Sequence, residues 1–189
     1  MFIPEHIVAV GAELVLAVTA ISIGIELINQ PGWRIKLGAI AVMTVAVAAL
    51  FGAIRYSGAD VIQYHQIASR IAGHIGMVGF VVLLAIKINQ SRLPNNVYYL
   101  LLVISLAGYA LQIGVLKDIA LIVSMLMVAV ALKKQQLPGY HFYTAFIALL
   151  AAGALSLTGL QSAGLKESLF HLLLAATLYQ YYRQYCYRI

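Results

Sequence analysis

Seven long stretches of this chain carry almost no charge, and this feature limits its fold more than any other. Most of them reach the roughly 20 residues that a helix needs to cross about 30 Å of hydrocarbon. Hydrophobic residues make up 63% of the chain and charged residues 10%, which is outside the range of soluble domains. We therefore predict an all-α polytopic membrane protein with transmembrane helices at Ile7–Ile28, Leu37–Arg55, Ala68–Ile88, Val97–Leu116, Ile119–Leu132, Tyr140–Leu160 and Ser168–Tyr185.

The fifth stretch is short for a membrane span, so the count of seven needs a second argument. Cytoplasmic loops of membrane proteins are enriched in Lys and Arg, and seven spans separate the basic residues unevenly. The larger group is Arg34, Lys36, Lys87, Arg92, Lys133, Lys134, Arg183 and Arg188, and the smaller is Arg55, Arg70, Lys117 and Lys166. This distribution predicts a seven-helix bundle with its N-terminus outside and its C-terminus in the cytoplasm.

Short helix-breaking motifs, rather than long linkers, separate several of the apolar stretches. They are Gln30-Pro31-Gly32, Leu93-Pro94-Asn95-Asn96 and Leu137-Pro138-Gly139. We expect one transmembrane domain over residues 1–189, with the first helix retained because no basic leader or cleavage motif accompanies it. The uninterrupted spans fit a bacterial inner membrane. The net charge of +6 follows the loops, so we expect the lipid bilayer and no nucleic acid as a partner.

Two residue types have simple structural interpretations. We interpret the tyrosines as interfacial anchors; they are Tyr98, Tyr99, Tyr140, Tyr143, Tyr179, Tyr181, Tyr182, Tyr185 and Tyr187. Gly73, Gly76 and Gly79 recur at a spacing that lets a neighbouring helix approach the third span closely.

Histidines provide most of the polar signal inside the predicted spans, where each polar group needs a partner. His6, His65, His74 and His171 map to the outer half of the bundle. Gln66, Arg70 and His74 recur every four residues on one helical face. In one interpretation, His74 forms a hydrogen bond to a neighbouring helix. In the other, either His74 or His65 is a metal or haem ligand.

The last span opens with Glu167 and His171, which lie four residues apart on one face of a helix. This spacing lets two side chains hold one metal ion or share one proton. It also suits a plain hydrogen bond at a helix N-terminus, where a carboxylate is favoured.

A seven-span bundle whose last helix opens with such a step, followed by Leu, Ala and aromatic residues, resembles the superfamily of alkaline ceramidases, progestin and adiponectin receptors and Per1-type proteins. Its members typically bind zinc and hydrolyse lipid amides. The resemblance covers one helix, and it implies zinc bound by His171, Glu167 and either His65 or His74. It also implies Asp60 or Glu13 as general base, a lipid substrate and a site near the outer leaflet. The chain departs from the family at Glu167, where a histidine is expected, and at the end of the second span.

Two further classes stay open, so the sequence alone does not decide whether the chain is an enzyme. One is electron transfer by a b-type haem held between His74 and His171. The other is a non-catalytic accessory subunit or small carrier, acting as a homo-oligomer or within a larger membrane complex. Few charged residues lie inside the predicted spans, and the main one is Glu13. This scarcity favours the non-catalytic class.

Overall fold

The structure is a computed structural model that describes residues 4–89, 95–134, 138–155 and 163–186. These residues form seven helices and contain no strand, which confirms the all-α prediction. The helices are α1 (Pro4–Ile28), α2 (Trp33–Tyr56), α3, α4 (Asn95–Ala110), α5 (Val115–Lys134), α6 (Tyr140–Leu155) and α7 (Ala163–Cys186). Helix α3 consists of α-helical Ile62–Ile71, π-helical Ala72–Met77 and α-helical Val78–Asn89.

Four helices are long and apolar enough to cross a membrane, and they indicate an integral membrane protein. They are His6–Ile28 of α1, Trp33–Tyr56 of α2, Ile62–Ile86 of α3 and Val115–Lys134 of α5. Helices α4 and α6 are apolar, but each has only 16 residues in the described part of the chain. The count of seven spans and the orientation of the termini stay predictions.

Helix boundaries differ from the predicted spans at two places. Helix α5 has 20 residues and is longer than the predicted span Ile119–Leu132. Lys117 and Asp118, which were expected before the span, lie in the first turn of the helix. Helix α4 ends at Ala110 because the chain turns at Gln112, whose φ is 58°. The apolar residues on either side of this turn concealed it in the sequence. The predicted turn at Gln30-Pro31-Gly32 is present, whereas parts of the other two breakers lie outside the described residues.

The bundle brings the starts of three helices together at one end. Helix α1 packs against α2 and α7, and α3 contacts α2, α4, α5 and α7. Successive helices run antiparallel, so the start of α1, the end of α2 and the starts of α3 and α7 meet. We call this the N-terminal end of the bundle; it holds every residue of the candidate site.

Glycine sets the distance between α2 and α3. A Cβ atom at Gly76 would lie 3.0 Å from the Ala41 carbonyl oxygen and would overlap the Thr44 hydroxyl. A Cβ atom at Gly79 would lie 3.1 Å from the Cβ of Ala41. Gly73, in contrast, faces Lys117 of α5. Close packing through Gly76 and Gly79 is therefore confirmed.

The interpretation of all tyrosines as interfacial anchors is wrong for the end of α7. Tyr181, Tyr182 and Tyr185 are buried, and their hydroxyls donate hydrogen bonds to the Val81 carbonyl, to Glu26 and to Gln30. Tyrosine can be buried when its hydroxyl finds a partner, so its presence near a helix end does not by itself indicate an anchor. Tyr98 is also buried, whereas Tyr140, Tyr143 and Tyr179 are exposed as an anchor requires.

Gly76→Ala is expected to lower the free energy of unfolding by about 1–3 kcal/mol, because the added methyl group overpacks the α2–α3 contact. The measurement is denaturant unfolding in detergent micelles. Gly11→Ala is the control: Gly11 lies on α1 with no atom near its added Cβ, so the change should be neutral or slightly stabilising. Equal effects of the two substitutions would contradict this account of the packing.

Candidate functional site

Glu13 is a carboxylate enclosed by the apolar bundle. It lies on the inward face of α1 with Ala9, Ala12 and Leu16, and its side chain is only 1% exposed. Gly52 of α2 faces it, and a Cβ atom there would overlap the carboxylate. Glycine therefore provides the space in which Glu13 is buried.

Two histidines reach the same oxygen of Glu13 from different helices. His171 of α7 places Nδ1 3.2 Å from Glu13 Oε1, and His65 of α3 places Nε2 3.9 Å from it. Glu13 Oε1 and His171 Nδ1 have no hydrogen-bond partner among the described residues, despite their proximity. Buried polar atoms are normally hydrogen-bonded, so this pair is the least satisfied part of the site.

Arg55 fixes the ring of His65. Its Nη1 lies 3.2 Å from His65 Nδ1, and a guanidinium can only donate, so Nδ1 must accept. The proton of this imidazole therefore resides on Nε2, the nitrogen that faces Glu13 Oε1 and lies 3.3 Å from the Ser69 hydroxyl. The short turn between α2 and α3 brings Arg55 and His65 together. Ser69 is exposed at the N-terminal end of the bundle.

Glu167 accompanies His171 at the start of α7, one turn earlier on the same face. It is partly buried and close enough to Glu13 to interact with it electrostatically, as does Arg55. The site thus combines two carboxyl groups with one guanidinium and two imidazoles.

His74 belongs to a different place in the bundle. It lies in the π-helical part of α3, where its Nδ1 is 3.0 Å from the Ser105 carbonyl oxygen. The Ser105 hydroxyl in turn donates to the His74 carbonyl at 2.7 Å, and Tyr109 packs edge-on against the ring. This reciprocal pair joins α3 to α4, as the hydrogen-bonding interpretation of His74 predicts.

The structure therefore sorts the residues that the sequence singled out. It brings Glu13, His65, His171 and Glu167 into one region, while His74 has partners on α4 and Asp60 lies exposed in the turn before α3. His74 and His171 face different neighbours, α4 and α1, so the paired imidazoles of the haem hypothesis are not seen side by side. The roles assigned to Asp60 and to the metal ligands stay predictions.

Three residues of the site were missed by the sequence analysis: Gly52, Arg55 and Ser69. Arg55 was counted only as a loop charge, although its position ten residues before His65, across a turn, is a usable signal. Among the described residues, no group of three or more His, Cys, Asp or Glu side chains is arranged to hold a metal ion.

No protein-family model, curated protein or solved structure matches this chain. The resemblance to the ceramidase and receptor superfamily thus still rests on the opening of α7 alone.

A double-mutant cycle tests the contact between Glu13 and His171. Glu13→Gln and His171→Gln should be non-additive by about 0.5–3 kcal/mol in the free energy of unfolding, because the two side chains share one buried contact. Glu26→Gln, at the opposite end of α1, serves as the control partner for Glu13→Gln and should be additive within roughly 0.5 kcal/mol. Additivity of the Glu13 and His171 substitutions would contradict the contact.

Proposed function

We propose that this chain is a small membrane carrier that binds and releases a proton on Glu13. The observation that carries the proposal is the enclosure of Glu13 within a membrane-length helix, beside His171 and His65. Ionisable residues inside a membrane are costly and usually mark an ion or proton pathway. A carboxyl group beside two imidazoles can take up a proton without leaving a bare charge in the apolar interior.

The route for protons leads from Glu13 to the N-terminal end of the bundle. His65 Nε2 lies 3.9 Å from Glu13 Oε1 and 3.3 Å from the hydroxyl of Ser69, which is exposed. Arg55 holds the imidazole in the tautomer that points its proton inward. His65 therefore points its one N–H towards Glu13, where it stabilises the carboxylate that remains after the proton leaves, and Arg55 is the residue that positions it.

On the other side of Glu13, the inward face of α1 is apolar. Leu16, Ala20, Ile23 and Leu27 are buried there, and Glu13 is the one buried acidic residue among the side chains of 6–86, 96–134, 138–155 and 164–186. In this conformation Glu13 thus exchanges protons with one end of the bundle. Transport to the other end requires the helices around Glu13 to repack, as in alternating access.

The membrane arrangement belongs to the same proposal. Seven spans in one domain, with the N-terminus outside and the C-terminus in the cytoplasm of a bacterium, are supported by the basic loops and by the antiparallel helix order. The N-terminal end would then face outward, and protons would reach Glu13 from outside. Assembly as a homo-oligomer or with other membrane proteins is compatible with this arrangement.

A zinc-dependent lipid hydrolase is the second candidate. It is favoured by the unsatisfied pair Glu13 Oε1 and His171 Nδ1 and by Glu167 one turn away. Elemental analysis of purified protein tests it: near-stoichiometric zinc should be present, lost in His171→Ala and retained in the control His141→Ala, which lies on α6. Metal-free protein would remove this candidate, and a Soret band in the same sample would indicate haem instead.

Proton uptake into liposomes tests the carrier. Wild-type protein, reconstituted with a trapped pH dye and an imposed potassium diffusion potential, should acidify the interior faster than protein-free liposomes do. Glu13→Gln should reduce the rate to that of protein-free liposomes because it removes the proton-binding group. Glu26→Gln, a carboxyl group at the other end of α1, is the matched control and should retain transport. An unchanged rate in Glu13→Gln, or no uptake by the wild type, would contradict the proposal.

A further inference from the structure

Helix α3 changes its packing along its length. Its first part, Ile62–Ile71, contains no buried residue, and we call it the outer segment. Its last part, Val78–Asn89, is the inner segment, in which residues 78–86 are all buried. The π-helical residues Ala72–Met77 join the two. A firmly packed half and a loosely packed half thus meet at the π-helical turn, and loosely packed parts of a protein move most easily.

The π-helical turn is the place where α3 can bend. Such a turn interrupts the regular hydrogen bonds of an α-helix, and helices kink there, frequently at functional sites. Its own position is fixed on two sides. Gly76 lies against Ala41 of α2, and His74 forms the reciprocal pair of hydrogen bonds with Ser105 of α4. A movement of the outer segment would therefore have a fixed pivot.

Contacts at the surface hold the outer segment in its present position. Tyr64 stacks on Phe51 of α2 with ring centroids 6.2 Å apart. The guanidinium of Arg70 lies 5.4 Å from the ring centroid of Tyr109 on α4. Aromatic and cation–π contacts at exposed positions are individually weak, so they do not by themselves prevent a small movement.

His65 lies on the outer segment between two acceptors. Its Nε2–H is 3.3 Å from the Ser69 hydroxyl and 3.9 Å from Glu13 Oε1. An N–H···O hydrogen bond spans about 2.7–3.2 Å, so the second distance is too long by less than about 1 Å or slightly more. His65 precedes the π-helical turn by roughly 10 Å along the helix axis, so a rotation of about 6° would close this gap.

We propose that π-helical Ala72–Met77 is a hinge on which the outer segment of α3 moves His65 onto Glu13 and away from it. In the closed position the Nε2–H of His65 donates to Glu13 Oε1, and the imidazole covers the carboxyl group. The present structure, with its gap of 3.9 Å, is the open position. The hinge follows from the packing of α3, whereas its role as the gate for protons rests on the proposed function of Glu13.

Fluorine NMR tests the hinge on the whole chain in detergent micelles. A trifluoromethyl label is attached to Gln66→Cys, an exposed position of the outer segment, in a Cys186→Ser background. The label should give two resonances, one for each position of the segment. The same label on Ile40→Cys, an exposed position of α2, is the control and should give one resonance.

Ser105→Ala tests the pivot, because it removes a hydrogen bond that fixes the His74 backbone to α4. It should change the ratio of the two resonances by about twofold or more, and it should change the rate of proton uptake into liposomes. Ser124→Ala is the matched control. Ser124 is equally buried, but its hydroxyl donates to the Ala120 carbonyl of its own helix, so ratio and rate should stay as in the wild type.

If Ser105→Ala does not fold, Tyr64→Ala removes the stack on Phe51 from an exposed position and carries the same expectation. A single resonance from the label at position 66 would overturn the hinge, and so would a ratio that a folded variant leaves unchanged. A changed ratio with an unchanged rate of uptake would overturn the role as a gate. Two resonances without uptake by the wild type would support the hinge and contradict the carrier.

Discussion

The burial of Glu13 is the constraint on which the rest of this bundle depends. An ionisable carboxyl group in an apolar interior is costly unless charge and hydrogen bonds are provided around it. The bundle places polar groups within 4 Å of Glu13 Oε1, His171 from α7 and His65 from α3, with Arg55 of α2 behind His65. These polar groups fix the point at which α1, α2, α3 and α7 meet. Apolar packing alone would not fix it, because the hydrophobic effect is non-directional.

Small residues allow this meeting. Gly52 gives the carboxylate of Glu13 its space, and Gly76 lets α3 approach α2 closely, so that the start of α3 reaches the end of α2. At the opposite end, Tyr182 of α7 donates to Glu26 of α1, and Tyr185 donates to Gln30 in the turn that follows α1. Polar groups of α7 thus meet α1 at Glu13, in its first half, and at Glu26, in its last turn, with apolar packing between them.

The sequence predicted the helices well because a membrane span is defined by length and apolar composition. It erred where apolar residues continue through a turn, as between α4 and α5, and where a buried tyrosine resembles an interfacial one. For the site, the sequence placed Glu13, His65 and His171 in the same half of the bundle. It could not choose between His65 and His74, because that choice depends on which side of α3 faces Glu13 and which faces α4. Arg55 was missed because a basic residue at the end of a span also serves topology.

The most direct test of this account is the infrared spectrum of the Glu13 carboxyl group in lipid membranes as the pH is changed. The account predicts a carbonyl stretch of a protonated carboxylic acid that appears and disappears with pH. It should be absent from Glu13→Gln, and its pH midpoint should move in His171→Gln, because the two groups share one buried contact. A band that is unaffected by Glu13→Gln, or a midpoint that is the same with and without His171, would contradict the account.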